Sequence, residues 1–367
     1  MISATSCGPL DIRLQPIGEA KGKSPLETSP AIWTSTTLVF RMATLANESN
    51  PRKNRPAKPI PRLPLSAFSP PNSGTGEKFP LPPSPATVHP QVVYDAGFAV
   101  SSIDGLKSYA SALGSSPDPR LAGVVVSFPD ANLDSIEQIT ASSTVPVLAV
   151  SVPISKSSTP SSSSSHKLVY STAFVQPAPS EAEAIKSALQ SGVVTIDVQT
   201  DLSTEAGWES LEEFLTSVLG AKETEEPRPA IVLSNILPPP KALEMPTVTL
   251  LSHPSYIAYQ GHSATVSFFE SVYVSLSPPD WGAVPSPVDP NAKEWNKRIK
   301  MYLGPIIEAF GFNRIIFASS SPSSAKHDSV PANWYELARE AVAELGIDQE
   351  GVDAIFGGNA KAVYGSA

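Results

Sequence analysis

The chain is poor in cysteine, histidine, positive charge and long apolar runs, and each shortage closes off a class of function. Its single cysteine, Cys7, lies in a proline-rich leader. No internal disulfide and no thiolate metal cluster can form, and a reducing, cytoplasmic setting fits. Lys and Arg number 26 against 35 Asp and Glu, a formal charge of −9. Nucleic acid and anionic membrane surfaces need clustered positive charge, so both are excluded as main partners. No apolar run approaches the roughly 20 residues that cross a bilayer, and Thr36–Val39 is too short for a signal-peptide core.

What the chain has in excess is proline, 39 residues against 21 glycines. From Met1 to about His89 no helical or strand period is sustained while Pro, Ser, Asn and Lys recur, so residues 1–89 are expected to form a disordered, proline-rich arm. The basic positions Arg52, Lys53, Arg55, Lys58 and Arg62 read as solvated linker charge, with a localisation signal as the competing reading. The arm's extended segments are candidate docking sites for protein partners. Met42 is an alternative start, which would remove residues 1–41 from the mature protein.

After Pro90 strand and helix patterns alternate, as in an α/β fold with a parallel sheet. Strands are predicted at Val92–Val100, Leu121–Phe128, Val145–Val152, Leu168–Val175, Val193–Val198, Ala230–Ile236, Thr247–Leu251, Val272–Leu276 and Arg314–Ala318. Between them, helices are predicted around Ile103–Leu113, Leu133–Ile139 and Glu181–Leu189, over Trp208–Leu219 with Gly220 as the stop, and over Trp295–Phe310 with Pro305 inside. A helix capped by Asn333 with Glu336 runs to Gly346, and a last one spans Asp348–Tyr364. This is one strand more than the eight of a (β/α)8 barrel. The two strands flanking the serine-rich tract, residues 153–166, are taken as the surplus, a hairpin with the tract at its tip.

The segments VYVSLS (Val272–Ser277), IIEAFG (Ile306–Gly311), RIIFASSSP (Arg314–Pro322) and FGGNAKAVYG (Phe356–Gly365) resemble, in order and spacing, the C-terminal third of the amidohydrolase-related family. Those proteins are TIM-barrel metal-dependent hydrolases and decarboxylases, so the resemblance implies a (β/α)8 TIM barrel over residues 90–367. It is strong over 247–365, weak over 92–246 and absent before Pro90. In the family the last strand ends in Phe-Gly-Ser-Asp-Trp-Pro, whose Asp binds metal or activates its water. Here Phe317, Ser319 and Pro322 keep the frame, Ala318 replaces the Gly, and Ser320 takes the Asp position. The family's first strand ends in Asp-Ala-His-x-His, with both histidines as metal ligands. In VVYDAGFAV, Asp95 and Ala96 match while Gly97 and Ala99 occupy the histidine positions. Strand alternation places Asp95, Gly97 and Ala99 on one face, toward the barrel centre. His253, in LLSHP, holds the place of a barrel-mouth histidine just after a strand.

A catalytic divalent metal needs three or four converging His or carboxylate ligands. Of the histidines His89, His166, His253, His262 and His327, only His253 has a barrel-mouth position; Asp95 and Asp197 (VTIDVQT) complete the candidate set. Each has a plainer reading. His253 can hydrogen-bond a loop carbonyl, Asp95 can be a buried carboxylate satisfied by backbone donors or an Arg, and His262 can be a surface or packing residue. Ser319, Ser320 and Ser321 lack the glycine-flanked turn of a serine nucleophile and read as polar filler. Gly357-Gly358 belongs to the closing helix, not to a phosphate-binding turn. Two functions follow. The first is a degenerate, pseudoenzyme-like barrel with no cofactor, binding a small molecule at its C-terminal mouth or serving as a scaffold. The second is a working hydrolase or decarboxylase of small carboxylic, lactone or amide substrates, holding Zn or Mn on Asp95, Asp197 and His253.

Overall fold

In a computed structural model, residues 84–99, 120–127, 145–156, 167–220, 228–239, 246–320 and 330–365 are described, all within one compact unit, Lys78–Ala367. Eight strands, β1 (Val92–Ala99), β2 (Arg120–Ser127), β3 (Val147–Pro153), β4 (Lys167–Phe174), β5 (Val194–Val198), β6 (Ile231–Leu237), β7 (Val272–Leu276) and β8 (Ile315–Phe317), pair in sequence order. Every ladder is parallel. β8 returns to β1 through hydrogen bonds beyond its last ladder, among them Ser320 N–H to the Gly97 carbonyl at 2.8 Å. The result is a (β/α)8 TIM barrel.

The helices are α1 (Pro179–Ser191), α2 (Glu205–Leu219), α3 (Thr247–Leu250), α4 (Pro254–Ser267), α5 (Ala292–Phe310), α6 (Pro331–Glu344), α7 (Gln349–Asp353) and α8 (Asn359–Tyr364), the last two joined by a π-helical turn, Ala354–Gly358. Helices predicted around Ile103–Leu113 and Leu133–Ile139, most of the arm and residues 157–166 of the serine tract lie outside the described residues. Among the described residues no helix is long and apolar enough to cross a membrane.

Three expectations are corrected. Thr247–Leu251 is not a strand but the helical turn α3, because a four-residue β-branched pattern carries no period long enough to separate the two. With that strand gone, no surplus remains at the serine tract. β3 and β4 are parallel neighbours in register Ala149 to Lys167, whereas a hairpin would require antiparallel strands. Finally, α6 starts at Pro331 after Val330, so Asn333 sits inside its first turn and does not cap it; its side chain reaches the Val284 carbonyl at 3.5 Å.

The core has two parts, as a closed barrel requires. The larger lies between the strands and the helices, where Val194, Ile196, Leu233, Val274 and Phe317 pack against Trp208, Phe214, Ile299, Trp334 and their neighbours. The smaller is the barrel interior: Val125, Ala149, Val169, Val232 and Ile316, with Tyr94, Ala96 and Tyr273 at its margin. Its floor is made by the chain's own end, since Ala360, Val363 and Tyr364 of α8 belong to the same cluster. Lys167, at the start of β4, donates to the Val363 and Gly365 carbonyls at 3.1 and 3.3 Å, and Asn359 donates to the Phe312 and Ile315 carbonyls, both at 2.7 Å. Gly357 allows this closure, because a Cβ there would lie 2.8 Å from the Val92 carbonyl oxygen.

Pro305 in α5 shows how the outer layer compensates a local defect. Proline offers no N–H to the carbonyl four residues back, Met301, and disturbs the next one. The Tyr256 hydroxyl donates to Met301 O at 2.7 Å and the Tyr259 hydroxyl to Tyr302 O at 2.9 Å, so α4 supplies what α5 lacks. Burial pushes the Tyr259 phenol well above its usual range and that of Tyr302 up to about 12. Before β1, Arg339 of α6 is buried and ties down the entering segment through the Pro85 and Val88 carbonyls, each at 3.0 Å.

Candidate functional site

In a barrel of this type function sits where the strands end, and the β1–β8 seam is the first place to look. Asp95 is fully buried, and one carboxylate oxygen accepts from the Ser319 N–H at 2.8 Å and the Gly97 N–H at 3.0 Å. Its charge is thus held by main-chain donors from both sides of the seam. Two register shifts of β1 against β2, at Val93/Tyr94 and Asp95/Phe98, break the simple alternation expected along this strand. Tyr94 and Ala96 pack on the interior cluster instead.

Gly97 and Ser320, the positions that would carry a histidine and an aspartate, are bonded to each other. Both the N–H and the hydroxyl of Ser320 donate to the Gly97 carbonyl, each at 2.8 Å. A Cβ on Gly97 would fall 2.6 Å from the Ser320 carbonyl oxygen and 3.0 Å from the Ala318 Cβ. Any side chain at 97 would therefore force the seam apart. Ala99 ends β1 and offers only a methyl group.

Asp197 lies on β5, across an eight-stranded ring from β1. It is buried, and accepts from Gln199 Nε2 at 2.8 Å and from the Asn235 side-chain amide. Asn235 has φ 62°, a left-handed backbone that asparagine tolerates better than most residues, and it interrupts the β6–β7 ladder between Leu233 and Leu237. This turn aims the amide at the carboxylate. Ser234, Ser275 and Ser277 are buried at the same end of β6 and β7. None of these partners was singled out by the sequence; the SNILPPP stretch holds the only signal, an asparagine beside a proline run, which marks a break without saying what it faces.

His253 follows the short helix α3 and caps α4, where its Nδ1 accepts the Ser255 N–H at 3.3 Å. The structure brings Asp95, Asp197 and His253 to three separate elements. Among the described residues no group of three His, Cys, Asp or Glu is arranged to hold a metal ion; His166 and His327 lie outside them. His262, on α4, faces α2, its Nδ1 2.7 Å from Glu212 and its ring stacked on Trp208 at 5.7 Å.

The family model described as Amidohydrolase matches residues 245–366. No curated protein sequence matches the chain. Among solved structures, the barrel is similar to a zinc-bound amidohydrolase from Burkholderia multivorans, at TM-score 0.50 and 14% identity over 75% of this chain and 99% of that one. It is likewise similar to a candidate 2-pyrone-4,6-dicarboxylic acid hydrolase from Pseudomonas putida, at TM-score 0.50 and 14% identity over 75% and 97%. Identity this low speaks for the fold alone. The similarity to the amidohydrolase family is thus carried by the C-terminal part of the chain, while the solved structures share its barrel fold.

Proposed function

We propose that the barrel is a cytoplasmic small-molecule-binding or scaffold protein that has lost its ancestral metal centre. One observation supports this reading: Gly97 and Ser320, which the family resemblance sets against two ligands, bond each other through backbone and hydroxyl groups across the β1–β8 seam and leave no room for a Cβ at Gly97. The zinc of the Burkholderia amidohydrolase does not fit the residues present. Gly97 and Ala99 have no side-chain donor atoms, and among the described residues Asp95, Asp197 and His253 form no group arranged to hold a metal ion. The residues before the barrel are proposed to act as an extended arm for protein partners.

The alternative, a hydrolase or decarboxylase with Zn or Mn on a reduced site, draws on Asp197, a buried carboxylate at a strand's C-terminal end held by a residue in a left-handed conformation. Elemental analysis decides between them. Full-length protein incubated with Zn or Mn and then dialysed is expected to retain substoichiometric metal, with an unchanged melting temperature. One metal per chain, lost in His253→Ala or Asp197→Asn, would overturn the proposal.

A further inference from the structure

The loop joining β7 to α5 builds a cavity from residues other than those of the β1–β8 seam. Its volume is about 500 Å³, and its walls include Trp281, Val284, Pro285, Asp289, Glu294 and Trp295. That size lies within the usual range for small-ligand pockets. Two indole rings meet in it at 66° with centroids 5.1 Å apart, forming a corner of aromatic surface. The corner is fixed: Trp281 Nε1 donates to the Pro239 carbonyl at 3.0 Å, and Trp295 is buried on α5.

Both acids are held in place on one oxygen. Asp289 Oδ1 accepts the Asn291 N–H at 2.8 Å, while Glu294 Oε1 accepts from the Thr247 hydroxyl and from Arg298 Nε, the latter at 2.8 Å. The Thr247 bond, followed by Arg298, keeps the Glu294 carboxyl below its ordinary range and hence ionised. The second oxygen of each acid accepts no hydrogen bond among the described residues. Negative charge beside indole rings repels carboxylates and attracts a cation, whose charge is stabilised by the ring faces as well as by the acids.

We propose that this pocket binds a small organic cation, an amine or a methylated ammonium with a short apolar portion. None of the residues lining the pocket belongs to the β1–β8 seam, so the proposal does not depend on the reading of the barrel centre. The occupant's charge, more than its shape, is what the pocket recognises.

The test is a calorimetric titration of the full-length protein with choline and with its neutral carbon analogue 3,3-dimethylbutan-1-ol, which has the same shape without the charge. Choline is expected to bind saturably, and the neutral analogue about tenfold more weakly, a factor worth about 1.4 kcal/mol. Asp289→Asn keeps the Oδ1 acceptor for the Asn291 N–H, so it should fold normally yet weaken choline binding severalfold. Equal binding of the two compounds to the wild-type protein, no saturable choline binding, or unchanged affinity in a folded Asp289→Asn would each overturn the proposal.

Discussion

The two ends of the barrel differ in what closes them. At the floor, α8 inserts Val363 and Tyr364 into the interior while Asn359 and Lys167 bind the free carbonyls around it. At the mouth, closure at β1–β8 depends on a buried carboxylate, a serine hydroxyl and a glycine. The floor is the part where the family-like FGGNAKAVYG segment lies, and its asparagine has a structural task that explains its presence. The mouth is where Gly97, Ala99 and Ser320 depart from the family pattern, and there Gly97 and Ser320 bond each other. Fold-holding and chemistry-bearing positions thus sit at opposite ends, and one set can change without the other.

Substitutions can break this contrast, beginning with the largest effect. Asp95→Ala would strand the buried Ser319 N–H and the half-buried Gly97 N–H, and is expected to destabilise the protein by roughly 3–5 kcal/mol in denaturant unfolding. A loss below about 1 kcal/mol would mean that the seam does not depend on the carboxylate. Gly97→Ala should come next, at about 2–3 kcal/mol, because the new methyl meets a backbone oxygen that can move only with the strand.

The floor has its own signature in alkali. Burial raises the Tyr364 phenol to about 12 from its ordinary 10.0, a cause that outweighs the opposing bond with Thr195. Since the folded state favours the neutral phenol, its contribution is complete below pH 10 and is lost as pH rises through about 12. Stability of the wild type should therefore fall over that window by roughly 2–3 kcal/mol more than that of Tyr364→Phe, followed by denaturation at fixed pH. Parallel curves would remove Tyr364 from the account of the floor. Smallest of all, Tyr256→Phe should cost about 1–2 kcal/mol by leaving the Met301 carbonyl without the donor that Pro305 denies it. If Pro305→Ala cancels that cost, the pairing of α4 with the α5 defect is confirmed; if the two effects simply add, it is not.

The barrel was legible because its signals are long. The α2 and α5 stripes, with Trp208 and Phe214, and Trp295 and Phe310, run over several turns, and Gly220 stops α2 as expected. Short pieces misled. Thr247–Leu250 is β-branched and looks like a strand, yet in the structure the Thr247 hydroxyl bonds Glu294 and Leu250 is buried as part of a helical turn. That Gly97, Ala99 and Ser320 depart from the family pattern could be read directly, because it is a matter of residue type. That Gly97 and Ser320 bond each other could not, since residues 223 positions apart meet only when the ring closes. The Asn235–Asp197 contact was hidden for a different reason, because it depends on the left-handed turn at Asn235, and the Trp281–Trp295 corner depends on the path of an irregular loop.

The central proposal is that Gly97, Ala99 and Ser320 stand where metal ligands once stood and that Gly97 and Ser320 now help hold the barrel closed. It is tested most directly by putting the ligands back, as Gly97→His, Ala99→His and Ser320→Asp in one chain, and measuring melting temperature together with bound zinc. The account predicts a clearly lower melting temperature and no stoichiometric metal, because the new side chains displace the Gly97–Ser320 contact. An unchanged or higher melting temperature with one zinc per chain would contradict it.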